Sequence, residues 1–350
     1  MLIRRSKKII TRIIKEKAVR LGIGFSASIV NTESQQYYKS KKKHFNLRGA
    51  KTIYEILGFE QSALEEMLEN IENYYRSYPI KKSSGKLRWI DAPQDQLKKC
   101  QKRILERIIY QFRTHEAAVG FVKFINVKDG AARHLGNKVV LCMDVYDFFG
   151  SLSLFQTYAA FGYMLKYLSK SNKIFKYTTD DIKILVGLTT YKGHVPQGAP
   201  TSPALANIIC RQLDRELQDL ADTNNVIYTR YADDISFSHK DKKFRITKLI
   251  DPVKTIIRYY GFKLNKTKTR VLRPHRRMCI TGVVINEKLS VPKYVWRNVR
   301  AQLHNLIKYE KTLSFEEQQK LRGKIEWIGL FRPQLKTTFL EQLGKVVLTP

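Results

Sequence analysis

The sequence VIYTRYADDISFS, residues 226–238, is the stretch from which the fold of this chain can best be predicted. Two strand-like runs, 226–230 and 235–238, enclose a sharp reversal made of Tyr231, Ala232, Asp233 and Asp234. A tight hairpin turn holds its charged residues out of the sheet, and Asp suits turns because its side chain can bond to its own backbone. The stretch therefore predicts a hairpin that presents two adjacent carboxylates at its tip.

The two adjacent carboxylates indicate a site for a divalent cation. Neighbouring acids repel each other and raise each other's pKa unless a cation lies between them. Mg²⁺ suits this place because it takes one or two protein carboxylates and completes its octahedron with water and substrate phosphates. The pair points to phosphoryl or nucleotidyl transfer, with a solvated Asp-Asp turn as the alternative.

A further carboxylate follows a second predicted strand. The apolar run VVLCM at 139–143 leads straight into Asp144. With Asp233 on a neighbouring hairpin, Asp144 can bridge two Mg²⁺ ions, one activating a 3′-hydroxyl and one neutralising a triphosphate and its leaving pyrophosphate. Asp147 comes three residues later, and we expect it to point elsewhere as a capping residue.

The charge balance predicts a nucleic-acid partner. The chain has 350 residues, with 64 Lys and Arg against 31 Asp and Glu and a formal net charge of +33. This excess is beyond what solubility needs and favours a polyanion bound with salt-dependent affinity. A membrane surface is the competing polyanion, but no apolar run is long enough to span a bilayer. The 43% of hydrophobic residues can bury two or three closely packed subdomains.

The cysteines and the N-terminal segment indicate the cellular compartment of the protein. Four cysteines, far apart and never paired as CxxC, fit neither a disulfide framework nor a zinc site. They favour a reducing compartment, and we expect a cytoplasmic protein. The basic start MLIRRSKKII lacks a continuous apolar segment, which argues against a secretory signal. We expect this segment to grip RNA or to cover the fold.

Hydrophobic periodicity predicts helices that alternate with hairpins. Helical patterns run over 50–72 and 94–112, on either side of a basic hairpin at 79–90. The rigid loop PQGAP at 196–200 opens a helix over 202–220, with a proline in its first turn, where helix starts favour it. Helical patterns also fill the C-terminal part, so a mixed α+β chain is expected.

Five motifs occur in the order seen in reverse transcriptases. They are Asp144 in DVYDFF, PQGAPTSPALAN over 196–207, YADD over 231–234, Lys268-Thr269, and ITG from Ile280. The chain resembles the bacterial retron reverse transcriptases in particular, through QGAPTSPALANIIC, RYADDIS and an ITG strand similar to their VTG motif. Their NAxxH element has the counterpart GAARH over 130–134, with Gly130 in place of Asn.

The resemblance implies a right-handed polymerase fold of the α+β class, with fingers, an antiparallel-sheet palm and a helical thumb. In these terms 1–49 is a basic N-terminal extension and 50–138 forms the fingers, with a helical insertion at 155–190 that adjoins the palm. The palm with the catalytic motifs spans 139–285. The helical thumb, an RNA-binding region, spans 286–350.

The resemblance also implies the catalytic residues. Asp144 and Asp233 are the main metal ligands, and Asp234 is the third acid. Lys268 is expected to protonate the leaving pyrophosphate or to hold phosphate, with Lys266 as its rival. The implied metal site as a whole comprises Asp144, Val145, Asp233 and Asp234.

Six residues are implied at the deoxynucleotide (dNTP) site: Lys81, Lys86, Arg88, Phe149, Gln197 and Gly198. Arg88 would lie flat against the incoming base and phosphate, while the two lysines would neutralise the triphosphate. The ring of Phe149 would leave no room for a 2′-hydroxyl and so select dNTP over rNTP. Gln197 and Gly198 match a loop whose backbone approaches the nucleotide closely, where a Cβ would collide.

The thumb is expected to bind nucleic acid through a basic helix face. Its members recur at roughly helical spacing and can grip the backbone of an RNA–DNA hybrid; they are Lys293, Arg297, Arg300, His304 and Lys308. A solvated face is the alternative for any single one of them. We expect Trp327 and Phe331 in the core. His134 is expected to be structural or to contact RNA.

The implied activity is RNA-directed DNA synthesis with two Mg²⁺ ions, for which Mn²⁺ can substitute. A structured noncoding RNA would be template and source of the priming 2′-hydroxyl, and the product would be a branched or RNA-linked single-stranded DNA. The complex would act in antiphage defence with a separate effector protein. Two alternatives stay open: another bacterial reverse transcriptase of the group II intron type, or an RNA-binding scaffold in which polymerisation is secondary.

Overall fold

The computed structural model describes residues 49–81 and 85–347. The predicted N-terminal extension at 1–49 lies outside the described residues, apart from Gly49. The turn residues 82–84 of the predicted basic hairpin also lie outside them. All five motifs identified in the sequence fall within the range 85–347.

The first part of the chain forms helices around a two-stranded hairpin. Its elements are α1 (Ile53–Leu57), α2 (Gln61–Glu69), β1 (Tyr75–Lys81), β2 (Leu87–Pro93), α3 (Asp95–Arg107) and α4 (Val127–Ala132). β1 and β2 pair antiparallel, from Tyr75 opposite Pro93 to Lys81 opposite Leu87. The single helix predicted over 50–72 is wrong, because Gly58 adopts a left-handed conformation with φ of 64° and ends α1.

The predicted catalytic hairpin belongs to a five-stranded antiparallel sheet. The strands are β3 (Val139–Tyr146), β4 (Ile227–Tyr231), β5 (Asp234–His239), β6 (Lys263–Leu264) and β7 (Arg270–Leu272). Their order is β4-β5-β3-β6, and β7 also pairs with β3. β3 is therefore central, which agrees with its uninterrupted apolar sequence.

The two faces of this sheet pack against different clusters. Side chains alternate along a strand, so Leu141 and Met143 face one side while Val140 and Cys142 face the other. The first pair belongs to the main core and the second to a smaller cluster around Ile280. Helices contribute to the main core: α5 (Leu154–Ser171), α6 (Thr179–Thr189), α7 (Ser202–Ile209), α8 (Arg211–Thr223) and α9 (Ile250–Tyr259).

The C-terminal part is a small hairpin followed by a helical unit with its own core. The elements are β8 (Cys279–Ile280), β9 (Val283–Val284), α10 (Lys293–Lys308), α11 (Phe315–Gly329) and α12 (Pro333–Gly344). Leu303, Ile325 and Phe339 are fully or almost fully buried in that core. Trp327 and Phe331 pack against both this core and the cluster around Ile280, so they join the helical unit to the sheet.

The predicted fold class is confirmed. The described residues form a mixed α+β fold, in which helices surround the β1–β2 hairpin, a central antiparallel sheet follows, and a helical unit comes last. Within the described ranges, each helix is too short or too polar to cross a membrane.

Candidate active site at the Ala232-Asp233 turn

The β4–β5 turn consists of two residues, because Tyr231 pairs directly with Asp234. Ala232 has φ of 55°, a left-handed conformation that a residue with a Cβ rarely adopts. The backbone N–H of Val145 donates to the Asp233 carbonyl at 2.9 Å, which ties the turn to β3. Val145, predicted at the metal site, buries its side chain in the main core, so its contact with the turn is through the backbone.

The structure brings the three predicted carboxylates together. Asp144 lies directly opposite Asp234 in the β3–β5 ladder, and Asp233 follows Ala232 at the tip. Partial loss of hydration, with the negative charges of Asp233 and Asp144, raises the pKa of Asp234 to about 6. Loss of hydration is also the largest cause of the raised pKa of Asp233, to which Asp144 adds. The turn thus concentrates negative charge that a cation would relieve.

Lys268 supplies one positive charge to this cluster. Its Nζ lies 2.6 Å from Oδ2 of Asp144, whose side chain is buried. The N–H of Asn265 donates to the Asp144 carbonyl at 2.8 Å, which sets the single 3₁₀ turn Lys266–Lys268 beside the acids. The hydrogen bond to Asp144 is the main cause of the raised pKa of Lys268. Lys266, its predicted rival, has an exposed side chain on the same turn.

The donor set fits a hard divalent ion. Among the described residues, no group of three or more His, Cys, Asp or Glu side chains converges as a ready-made metal site. Mg²⁺, however, needs one or two protein carboxylates, and Asp144 and Asp234 line one cavity of about 380 Å³ that leaves room for water and phosphate. Burial, with a smaller contribution from the neighbouring carboxylates, raises the pKa values of Asp233 and Asp234, and a bound cation would favour their charged forms.

Arg270 is a site residue that sequence reasoning missed. It lies in β7 opposite Cys142. Its positive charge partly offsets the rise in the pKa of Asp234. It lines the cavity beside Asp144 and also a second cavity of about 440 Å³ that reaches Tyr294 of α10. The two cavities share Asp234 and Arg270, so the open space beside the acids continues to α10. A short strand of three residues offers little sequence signal for this role.

The β1–β2 hairpin brings Arg88 toward the acids. Arg88 is exposed in β2. Its positive charge partly offsets the rise in the pKa of Asp233. The hairpin is docked by the N–H of Asp91, which donates to the Gln197 carbonyl at 2.8 Å. Lys81 and Lys86 are exposed at the far end of the same hairpin.

Gly198 permits a close approach, but to the protein itself. Its φ is +132°, and a Cβ there would lie 2.8 Å from Cγ2 of Ile90 and 2.9 Å from the Asp91 carbonyl oxygen. The sequence prediction assigned this closeness to the nucleotide. In the structure, the absence of a Cβ at Gly198 allows the PQG loop to pack directly against Ile90 and Asp91 of β2.

Phe149 belongs to an aromatic row beside the turn. Its half-buried ring packs edge-on against Phe148 at 5.4 Å and lies 6.1 Å from Phe121. Phe121 in turn lies 6.1 Å from the ring of Tyr231. Sequence reasoning missed Phe121, which reaches this place because Ala118 forms a parallel bridge with Arg230.

The basic residues predicted on the thumb share one helix. Arg297 and Arg300 lie 5.6 and 5.0 Å from the ring centre of Trp296. Arg332, which precedes α12 and was missed from the sequence, lies 5.2 Å from the same ring. The predicted set is exposed along α10: Lys293, Arg297, Arg300, His304 and Lys308.

His134 is structural. The ring is fully buried, with Nδ1 2.6 Å from Oγ of Ser238 and Nε2 2.7 Å from Oγ1 of Thr229. Burial lowers the pKa of His134 to about 3, so the ring is neutral and bridges both strands of the catalytic hairpin. The RNA-contacting alternative is therefore wrong. Gly130, which stands where the related element has Asn, leaves no room for a side chain, because a Cβ there would lie 2.7 Å from Cγ2 of Val119.

Comparison with known proteins identifies relatives over most of the chain. The family model for reverse transcriptase (RNA-dependent DNA polymerase) matches residues 80–306. The retron Mx162 reverse transcriptase of Myxococcus xanthus is 31% identical over 86% of this chain and 67% of its own length. The retron Ec86 reverse transcriptase of Escherichia coli is 32% identical over 66% of this chain and 70% of its own. Among solved structures, apo telomerase from Candida tropicalis gives a TM-score of 0.48 at 14% identity, over 83% of this chain and 64% of that one.

Proposed function

Since this chain belongs to the bacterial retron-type reverse transcriptases, which are RNA-directed DNA polymerases, we propose that it copies a structured noncoding RNA into single-stranded DNA by two-metal nucleotidyl transfer. The observation that carries the proposal is the convergence of Asp144, Asp233 and Asp234 at one turn. The exposed Arg88 and the ammonium of Lys268 interact with the same acids. Two of the acids, Asp144 and Asp234, line one open cavity together with Lys268 and Arg270.

Each side chain has a defined task in this reaction. Asp144 and Asp233, with Asp234 as the third acid, would hold the two Mg²⁺ ions, for which Mn²⁺ can substitute. When bound, the ions activate the attacking hydroxyl and neutralise the triphosphate. Lys268 carries a proton on Nζ that can pass to the leaving pyrophosphate, and its raised pKa keeps it charged at neutral pH.

Nucleotide selection falls to the fingers and the aromatic row. Arg88 would contact the base and phosphate of the dNTP, while Lys81 and Lys86 would attract the triphosphate from the hairpin tip. Gln197 and Gly198 join this hairpin to the palm. Phe149, held between Phe148 and Phe121, would exclude the 2′-hydroxyl of an rNTP.

The retron membership also supports a set of partners. The fingers at 50–138, the palm at 139–285 and the thumb at 286–350 would enclose the RNA–DNA hybrid, with the basic face of α10 on its backbone. The noncoding RNA would supply both template and priming 2′-hydroxyl, giving a branched product. That product and this chain would act with a separate effector protein in antiphage defence.

The test is DNA synthesis by the purified chain with its co-purified RNA, Mg²⁺ and dNTPs. A defined short DNA joined to RNA is expected, and sequencing it identifies the template. Asp233→Asn with Asp234→Asn should abolish synthesis, whereas Asp219→Asn, an exposed aspartate on α8, should not. Full synthesis by the double variant would overturn the proposal.

A further inference from the structure

Arg230, which directly precedes the YADD motif, is fully buried, and three of its nitrogen atoms donate hydrogen bonds. Its Nε and Nη2 donate to the two carboxylate oxygens of Asp214, each at 2.6 Å. Nη2 also donates to Oδ1 of Asn207 at 3.2 Å, and Nη1 donates to the Ala232 carbonyl at 3.1 Å. One guanidinium thus connects α7, α8 and the turn.

Stability alone gives little reason for this ion pair. Arg230 projects toward the same side of the sheet as Tyr228, in the main apolar core, where buried ion pairs are often replaceable by apolar side chains without loss of stability. Burial by itself lowers the pKa of Arg230, but the attraction of Asp214 raises it overall, so the group stays charged. Tyr228 donates a further hydrogen bond to Asp214 at 2.8 Å, so the carboxylate is well satisfied.

The ion pair provides a donor to the turn. Asp233 lies between two peptide groups, whose carbonyl oxygens belong to Ala232 and Asp233. Arg230 holds the first oxygen, and the N–H of Val145 holds the second at 2.9 Å. With both peptide planes fixed, the direction of the Cα–Cβ bond that carries the Asp233 carboxylate is fixed as well. The hydrogen bond also offsets the unfavourable left-handed φ of Ala232.

The hydrogen-bond network of Arg230 also connects the turn to the backbone at Gly120. Nδ2 of Asn207 donates to the Gly120 carbonyl at 2.8 Å, so Asn207 binds Arg230 through one atom and Gly120 through the other. A Cβ on Gly120 would lie 2.8 Å from the Ala232 nitrogen. The turn is therefore held between Arg230 and the Gly120 backbone.

We propose that Arg230, oriented by Asp214 and Asn207, is a positioning residue that sets the direction of the Asp233 carboxylate. This inference rests on the proposed polymerase function. All three residues are buried, so they act on the reaction through the turn and not by touching the substrate.

The decisive variant replaces the ionic network by apolar groups of similar size: Arg230→Met, Asp214→Leu and Tyr228→Phe together. Because no charge is then left unpaired, the chain should fold with a Tm close to that of the unchanged protein. Its kcat should nevertheless fall by about 100-fold with KM for dNTP little changed, as expected when a catalytic group is misplaced by about 1 Å. The Mg²⁺ concentration needed for half-maximal rate should rise.

Arg230→Lys provides a second measurement if the triple variant does not fold. Lysine keeps the charge opposite Asp214, but all its donors lie on one nitrogen, which cannot occupy the separate positions from which Nε, Nη1 and Nη2 reach Asp214, Ala232 and Asn207. We expect the same fall in kcat with folding retained. Gln101→Leu is the matched control, since Gln101 forms another buried polar network, with Tyr75 and the Leu188 carbonyl. It should lower Tm and leave kcat unchanged.

Binding of Mn²⁺ alone, followed by electron paramagnetic resonance, separates this inference from the proposed function. Weaker Mn²⁺ binding in the triple and Arg230→Lys variants supports the positioning role even if no DNA is made. Absence of DNA synthesis by the unchanged protein contradicts the polymerase proposal. Unchanged Mn²⁺ binding and kcat in a folded Arg230 variant, or an equal loss of kcat in Gln101→Leu, overturns the positioning role.

Discussion

At the scale of single residues, Lys268 and Lys266 share one 3₁₀ turn but have different surroundings. Both side chains are exposed, but Lys268 forms an ion pair with Asp144 at 2.6 Å. If Lys268 protonates pyrophosphate, Lys268→Ala should lower kcat by about 100-fold, in the range typical of general-acid catalysis. Single-turnover dNTP incorporation measures this. Lys266→Ala is the matched control, and equal losses in both variants would remove the specific role of Lys268.

Phe149 can be tested by sugar selectivity. Phe149→Ala opens space beside the turn and should raise rNTP incorporation relative to dNTP by at least about 10-fold, because exclusion of the 2′-hydroxyl is steric. The ratio of kcat/KM for the two nucleotides is the measurement. Phe155→Ala, a partly exposed phenylalanine at the start of α5, is the control. An unchanged ratio in Phe149→Ala would contradict the assignment.

His134 predicts a pH dependence of stability. Its pKa is about 3 in the folded chain, against about 6.5 in an unfolded one, so the unfolded state binds one more proton between these values. The free energy of unfolding should therefore fall as pH drops below about 6.5, by up to about 1.4 kcal/mol per pH unit from this group.

Urea unfolding between about pH 5 and pH 7 measures this dependence. His134→Gln should remove the contribution, giving a shallower slope, while the same substitution at the exposed His275 should keep the original slope. Equal slopes for the unchanged protein and His134→Gln would contradict the buried neutral ring.

Residue chemistry was predictable where a motif is local. The adjacent pair Asp233-Asp234 and the strand that ends in Asp144 are recognisable from spacing and charge. Arg230 directly precedes the YADD motif, yet its burial could not be predicted, because its partners Asp214 and Asn207 come from separate helices. Phe121 was missed for the same reason, because its neighbour Tyr231 lies far away along the chain.

At the scale of elements, the junction between the PQG loop and β2 positions the β1–β2 hairpin. Gly198→Ala should weaken it, since the added Cβ meets Ile90 and the Asp91 carbonyl at less than normal contact distance. We expect a loss of about 1–3 kcal/mol in stability and a raised KM for dNTP. Gly193→Ala is the matched control, because Gly193 also has positive φ, while a Cβ there would meet no atom within 4 Å among the described residues beyond its chain neighbours. Steady-state kinetics and Tm would be measured together, and equal effects would show that backbone strain alone is responsible.

Interruptions of predicted helices also matter for the site. Periodicity predicts one helix over 202–220, but Cys210 has φ of −79° and ψ of 1°, and α7 ends before it while α8 begins after it. The change of direction lets Asn207 from α7 and Asp214 from α8 reach Arg230. A hydrophobic period cannot reveal this interruption, because buried positions continue on both sides of it.

At the scale of the whole molecule, the net charge of +33 predicts salt-dependent RNA binding. Arg297→Gln with Arg300→Gln removes two exposed charges of α10. The slope of log K against log salt should become shallower by about 1.4 to 1.8, the range expected for two phosphate contacts on a single strand or on a B-form duplex. Filter binding of the co-purified RNA at several salt concentrations measures it. Lys183→Gln with Lys320→Gln removes two carboxylate-paired surface lysines as the control. An equal change in the control would show that total charge, and not the α10 face, is responsible.

The α+β class, the order of the motifs and the identity of the three acids could all be predicted from the amino-acid sequence. These features depend on local properties: alternation in strands, periodicity in helices, and carboxylates at the ends of apolar runs. Only the folded chain reveals that Lys268 pairs with Asp144, that Gly198 faces Ile90, and that Arg230 is buried against Asp214. Each of these is a contact between residues far apart along the chain, and no local pattern of charge or hydrophobicity encodes which distant partners meet.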